Sequence, residues 1–114
     1  MDLGAAIDAH TQWRVKLKAA ISRGEKLDAS TISQDTKCEL GRWLSGEGRS
    51  RFGSKPEFQK LVNSHRAFHD AAGKVASAVN AGKTADAEKL LSGPFQTQSQ
   101  DTVAAITAAR KVCC

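Results

Sequence analysis

The three histidines of this sequence have types and spacing that suit metal coordination. His65 and His69 are four residues apart in a stretch with helical periodicity, so their imidazoles project from one helix face, a turn apart. That face is apolar, and His10 also lies on the apolar stripe of its own helix. Neutral imidazoles that face an interior need polar partners, because burying a polar group without one costs free energy. One shared metal ion would satisfy all three rings.

A tetrahedral site needs a fourth ligand, and the chain contains three cysteines. Cys38 is the best candidate, since it stands in a short apolar segment that must close over the helices; Cys113 and Cys114 remain alternatives. Three imidazole nitrogens and one thiolate suit Zn²⁺ better than Ca²⁺ or Mg²⁺. The same ligand chemistry argues less firmly against copper. A site closed by four protein ligands argues against hydrolysis, because catalytic zinc keeps a position for water.

The elements that must position these residues are helices. Apolar residues and His10 recur at spacings of three and four and predict a helix over residues 3–23, ended by Gly24. A second long helix has Pro56 in its first turn, carries His65 and His69, and ends at Gly82. Residues 25–36 are polar and predict a connector, and residues 38–44 predict a brief helix that stops near Gly46 and Gly48.

Two further helices complete the predicted fold. One opens at Thr84 and runs through Leu91, Gly93-Pro94 breaks or bends it, and the last covers about 95–112. We therefore expect an all-α fold, an antiparallel four-helix bundle with an additional short helix that carries the cysteine ligand. At 114 residues, the chain is expected to form a single domain over residues 1–114.

Bulk composition narrows the function classes. The chain has a net charge of +5, but its basic residues are dispersed and lack interleaved aromatics, so nucleic-acid binding is not expected. No apolar stretch could span a bilayer, and no secretory signal is visible, so we expect no membrane association. An odd cysteine count with an adjacent pair is not a disulfide framework, which favours a reducing, cytoplasmic setting.

Three motifs together resemble the CZB family, the chemoreceptor zinc-binding domains of bacteria, and the resemblance extends over essentially the whole chain. They are Ala-His10-Thr-Gln-Trp13, Cys38-Glu-Leu-Gly41-Arg-Trp43-Leu44 and His65-Arg-Ala-Phe-His69. The resemblance implies a helical bundle that binds zinc through His10, Cys38, His65 and His69. It also implies a non-enzymatic regulatory role, as a homodimer, attached to a soluble chemoreceptor or a diguanylate cyclase. Gly41 and Trp43 are expected to support the cysteine segment.

Two signals fit this interpretation, namely zinc availability and oxidation of the zinc-bound Cys38 thiolate. Two alternatives from other classes remain at this point. One is a helical interaction module without metal, and the other is a haem-binding bundle with His10 and either His65 or His69 as axial ligands. Four carboxylates are candidate hydrogen-bond partners for the metal-bound imidazoles. They are Asp8, Asp35, Asp70 and Asp101.

Overall fold

Helices make up most of the chain, and no described residue is in a β-strand. The computed structural model describes residues 2–35 and 38–113, with the side chain of Cys113 excepted. Its elements are α1 (Leu3–Arg23), α2 (Ala29–Ile32), α3 (Glu39–Ser45), α4 (Glu47–Phe52), α5 (Pro56–Asn80), α6 (Thr84–Leu90), a π turn (Leu91–Phe95) and α7 (Gln96–Cys113). The predicted all-α fold is confirmed. None of the described helices combines the length and apolar composition that a bilayer span requires.

The described residues form a bundle of four helical segments, called legs below, and two apolar clusters show in which direction each leg runs. The first cluster joins the start of α1, the start of α5 and the end of α7, through residues such as Leu3, Phe58 and Ile106. The second joins the end of α1, the end of α5 and α6, through residues such as Ile21 and Val79. Helices α1 and α5 are therefore parallel, and α6–α7 runs back antiparallel to both. The described segment with α2, α3 and α4 forms the fourth leg and closes an up-down-up-down bundle.

The C-terminal leg differs from the prediction at Pro94. A break or bend was expected there, but Pro94 lies inside the π turn, and α6 and α7 follow each other as one continuous leg. Proline lacks an N–H donor and its ring clashes with the preceding turn, so a locally wider turn accommodates it without ending the helix. Phe95 is fully buried, with its ring centroid 5.1 Å from that of Phe68.

The predicted connector over residues 25–36 contains the one-turn helix α2, which is fastened to α5 by Asn80. The Asn80 side chain accepts from the Leu27 N–H at 2.7 Å and donates to the Leu27 carbonyl at 2.6 Å. Lys26 also donates to the Asn80 carbonyl, at 3.0 Å. The Asn80 amide thus satisfies both backbone groups of Leu27 and holds the segment just before α2 against α5.

Replacement of Asn80 by alanine tests this attachment. Asn80→Ala leaves two partly buried backbone groups of Leu27 without partners, so we expect the free energy of unfolding to fall by about 1–3 kcal/mol. Urea denaturation followed by circular dichroism measures it. Asn63→Ala is the matched control, because Asn63 is exposed on the same helix and should change stability by less than about 0.5 kcal/mol. Equal stability of the two variants would contradict the assigned role of Asn80.

Candidate metal centre

Four side chains from three elements converge inside the bundle. His10 comes from α1, Cys38 from the position immediately before α3, and His65 and His69 from α5. One ligand atom from each lies within 4.8 Å of the other three. His65 Nε2 is central, at 3.0 Å from His10 Nε2, 3.1 Å from His69 Nε2 and 3.2 Å from Cys38 Sγ. The structure therefore brings together all four residues singled out by the sequence.

The cluster sits where the two apolar clusters of the bundle meet. His10, His65 and His69 are 3%, 0% and 2% exposed, whereas Cys38 is only partly buried. Phe68, from the second apolar cluster, packs its ring against His10 and His69, with centroids 5.1 and 5.4 Å away. Water is excluded from the histidine side of the site, so polar atoms there depend on each other or on a bound ion.

Backbone carbonyls fix the protonation of two of the rings. His10 Nδ1 lies 2.7 Å from the Ala6 carbonyl oxygen, and His69 Nδ1 lies 2.9 Å from that of Ile32. Because a carbonyl only accepts, each Nδ1 must carry the proton and donate it. Each neutral ring then presents an unprotonated Nε2, the atom that faces the centre of the cluster.

The converging lone pairs fit a cation better than a hydrogen-bonded core. A proton on His65 Nε2 could be donated to one neighbour only, yet three potential acceptors lie 3.0–3.2 Å from this atom. A zinc ion accepts all four ligand atoms at once. A tetrahedral zinc shell has ligand–ligand distances of about 3.3–3.6 Å. The three distances from His65 Nε2 are slightly shorter than this, and all four ligand atoms lie within 4.8 Å of one another. The residues present therefore fit zinc.

The same closeness rules out the haem alternative. The His10 and His65 rings are in edge contact, with centroids 4.9 Å apart, and His10 and His69 are 5.8 Å apart. Axial haem ligands approach the iron from opposite faces of a flat macrocycle. No macrocycle fits between rings that touch each other.

Cys38 is placed by the start of α3. Its Sγ accepts a hydrogen bond from the Gly41 N–H at 3.3 Å and lies 3.5 Å from the Asp35 carbonyl oxygen. Burial raises the pKa of the Cys38 thiol, and the N–H groups of Gly41 and Leu40 oppose this effect. Donation from Gly41 favours the thiolate that a metal requires. Gly41 thus contributes its backbone N–H to the site, a role that the sequence did not predict.

Trp43 and its neighbours hold α3 against the bundle. Leu40 and Leu44 are buried, and the Trp43 ring packs 5.8 Å from Phe58. Gly48, in α4, leaves room for this ring, since a Cβ there would lie 2.8 Å from three ring atoms. The sequence assigned Gly48 only a helix-stop role, whereas α4 continues through it.

Burial lowers the pKa of every histidine in the cluster. The pKa of His65 falls to about 3, first because the ring is desolvated and then because His69 and His10 lie beside it. Burial also lowers the pKa values of His10 and His69. The hydrogen bonds to the carbonyls of Ala6 and Ile32 act in the opposite direction and partly offset this lowering. All three rings are therefore neutral near neutral pH, as metal ligands must be.

The candidate carboxylates do not hold the imidazoles. Asp8 and Asp101 are exposed, and Asp70 forms a surface ion pair with Lys74 at 3.3 Å. Asp35 raises the pKa of His69 through its charge, but the His69 proton goes to a backbone carbonyl. His65 Nδ1 has no hydrogen-bond partner among the described residues, so the ring is oriented by packing and by the contacts of its Nε2 with His10, His69 and Cys38. The alternatives to Cys38, namely Cys114 and the side chain of Cys113, lie outside the described residues.

The lowered pKa values predict that the metal-free protein loses stability in acid. In the unfolded chain His65 takes up a proton as the pH falls through about 6.5. In the folded protein the same ring stays neutral down to about pH 3, so acid favours the unfolded state. From about pH 7.5 to 5.5, His65 alone should cost about 1.4 kcal/mol of unfolding free energy. Urea titrations of chelator-treated protein measure this. His65→Gln should show a weaker pH dependence, and equal stability of wild type at both pH values would refute the expectation.

Comparison with known proteins agrees with this geometry. The sequence model of one family, described as the chemoreceptor zinc-binding domain (CZB), matches residues 10–76. The match begins at His10, includes all four residues of the cluster and ends within α5, short of the C-terminal leg. No curated protein and no solved structure matched the chain. The matched segment is more than half of the 114 residues, so the chain belongs to the CZB family of zinc-binding domains.

Proposed function

We propose that this chain is a zinc-binding regulatory domain of bacterial signal transduction, with His10, Cys38, His65 and His69 as its four ligands. The observation that carries the proposal is the pair of carbonyl-bound imidazoles, whose Nε2 atoms face His65 Nε2 and the half-buried sulfur. Four protein ligands leave no coordination position for substrate or water. The role of the site is therefore control of conformation, with residues 1–114 acting as one non-enzymatic domain.

Zinc occupancy would govern how firmly the legs of the bundle are joined. The ligands come from α1, from the residue before α3, and from α5. In small domains, structural zinc contributes on the order of 10–16 kcal/mol of apparent folding free energy. Zinc gain or loss therefore changes both stability and the position of α3, which makes zinc availability one candidate signal.

Oxidation of Cys38 is the second candidate signal. It is the only member of the cluster that is partly exposed, so an oxidant reaches the sulfur before any imidazole. The thiolate attacks one oxygen of a peroxide, an S–O bond forms as the O–O bond breaks, and hydroxide leaves. Sulfur loses two electrons to the peroxide and becomes sulfenic acid, a poorer zinc ligand.

The output of such a domain lies in a signalling partner. The family description names chemoreceptors, and the family as a whole supports a homodimer attached to a chemoreceptor or a diguanylate cyclase in the cytoplasm. A change in α3 and α4 would reach that partner through the surface of the bundle. We assign the domain to control of chemotaxis or of cyclic di-GMP on this basis.

Metal analysis tests the ligand set. Protein purified without chelators should contain about one zinc ion per chain, and Cys38→Ser or His69→Ala should weaken zinc binding by orders of magnitude. With Co²⁺ in place of zinc, Cys38→Ser should also lose the sulfur-to-metal charge-transfer band. The double variant Cys113→Ser, Cys114→Ser is the matched control and should keep both zinc and the band. Absence of zinc from wild type would remove the basis of the proposal.

Oxidant titration tests the redox signal separately. Zinc release, followed with a chromogenic chelator, should rise with added hydrogen peroxide and coincide with oxidation of Cys38 in peptide mass spectra. The Cys113→Ser, Cys114→Ser variant should release zinc as wild type does. Zinc that stays bound at several equivalents of oxidant, with Cys38 unmodified, would leave zinc availability as the signal.

A further inference from the structure

Gly73 lies in the middle of α5, where this helix meets the end of α2. A Cβ at Gly73 would lie 2.5 Å from the Cβ of Ser33 and 3.1 Å from its Cα. Glycine is disfavoured inside a helix, and Gly73 does not have a positive φ that would require it. The close approach of α2 is therefore the physical reason for a glycine at this position.

The contact with Gly73 places the carbonyl that holds His69. Ser33 directly follows Ile32, whose carbonyl oxygen lies 2.9 Å from His69 Nδ1. Helix α2 is a single turn, and the last carbonyls of a helix have no partner within it, so the Ile32 carbonyl is free to accept from the imidazole. Gly73 is one turn beyond His69 on α5, so both contacts lie on the same side of that helix.

We infer that Gly73 is a positioning residue for the metal centre. By letting α2 lie close to α5, it keeps the Ile32 carbonyl within reach of His69 and thereby keeps Nε2 of that ring unprotonated. The inference deepens the proposed function and rests on it for its effect on zinc. A side chain at Gly73 would displace α2 rather than α5, because α2 has no buried residue whereas α5 forms much of the core.

Gly73→Ala separates this role from a local one. Alanine is the better helix former, so a glycine without a positioning role would yield a variant with unchanged zinc binding and equal or higher stability. We expect the dissociation constant for zinc to rise by about 10-fold or more, as when an outer hydrogen-bond partner of a ligand is lost. In the metal-free protein, the imidazole ¹H–¹⁵N spectrum should change from a single Nδ1–H form of His69 to a mixture of tautomers.

Two further variants make the test specific. Gly93→Ala is the matched control, because a Cβ at Gly93 meets no atom within 4 Å, and it should bind zinc as wild type does. Adding Ser33→Gly to Gly73→Ala removes the atom nearest to the new Cβ and should restore most of the affinity and the single tautomer. Circular dichroism should show equal helicity in all of these proteins.

The outcomes distinguish the inference from the proposed function. Wild-type zinc affinity and an unchanged His69 tautomer in Gly73→Ala would overturn the inference and leave the zinc site standing. A loss of affinity that Ser33→Gly does not restore would also overturn it. If wild type bound no zinc, the proposed function would fail, and the tautomer of His69 in the metal-free variants would still decide whether Gly73 sets this contact.

Discussion

Two hydrogen bonds from imidazole Nδ1 to backbone carbonyls determine what the interior of this bundle can hold. They turn His10 and His69 into rings with a lone pair facing inward, and this makes the centre of the cluster a place for a cation. The two bonds differ in origin. His10 uses the carbonyl of Ala6 in its own helix, so its orientation is encoded locally. His69 uses Ile32, 37 residues away in sequence, so its orientation depends on how the legs pack.

The part of this arrangement that the sequence predicted is the part governed by helical periodicity. A spacing of three and four residues placed His10 on the inward stripe of α1, and an interval of four placed His65 and His69 on one face of α5. Both helices lie close to the predicted bounds, because Gly24 and Gly82 adopt the positive φ that ends them. Cys38 followed from the family motif, since no periodicity connects it to the histidines.

Interactions made by the backbone, and residues whose role depends on a distant segment, could not be predicted. The carbonyl of Ile32 has no signature in the sequence, because every residue carries the same acceptor. The interior position of Thr102 was also not predicted, because a polar residue gives no sign of burial in the sequence; its hydroxyl donates to the Ser64 carbonyl at 3.0 Å. Gly73 did leave a signal, an isolated glycine inside a long helix, but its meaning required knowledge of what lies against it.

The four ligands are not equally anchored, and this asymmetry indicates which part of the fold responds to the metal. The three histidines stand on α1 and α5, helices of 21 and 25 residues whose apolar faces are packed at both ends. Cys38 stands before a helix of seven residues that is held mainly by Leu40, Trp43 and Leu44. The apolar packing of α1 and α5 involves neither the metal nor the thiolate, so under the proposed function loss of either should disturb the imidazoles less than Cys38. Among the elements that carry a ligand, α3 has the weakest independent support, so under the proposed function a change at the metal would first move the segment that carries Cys38.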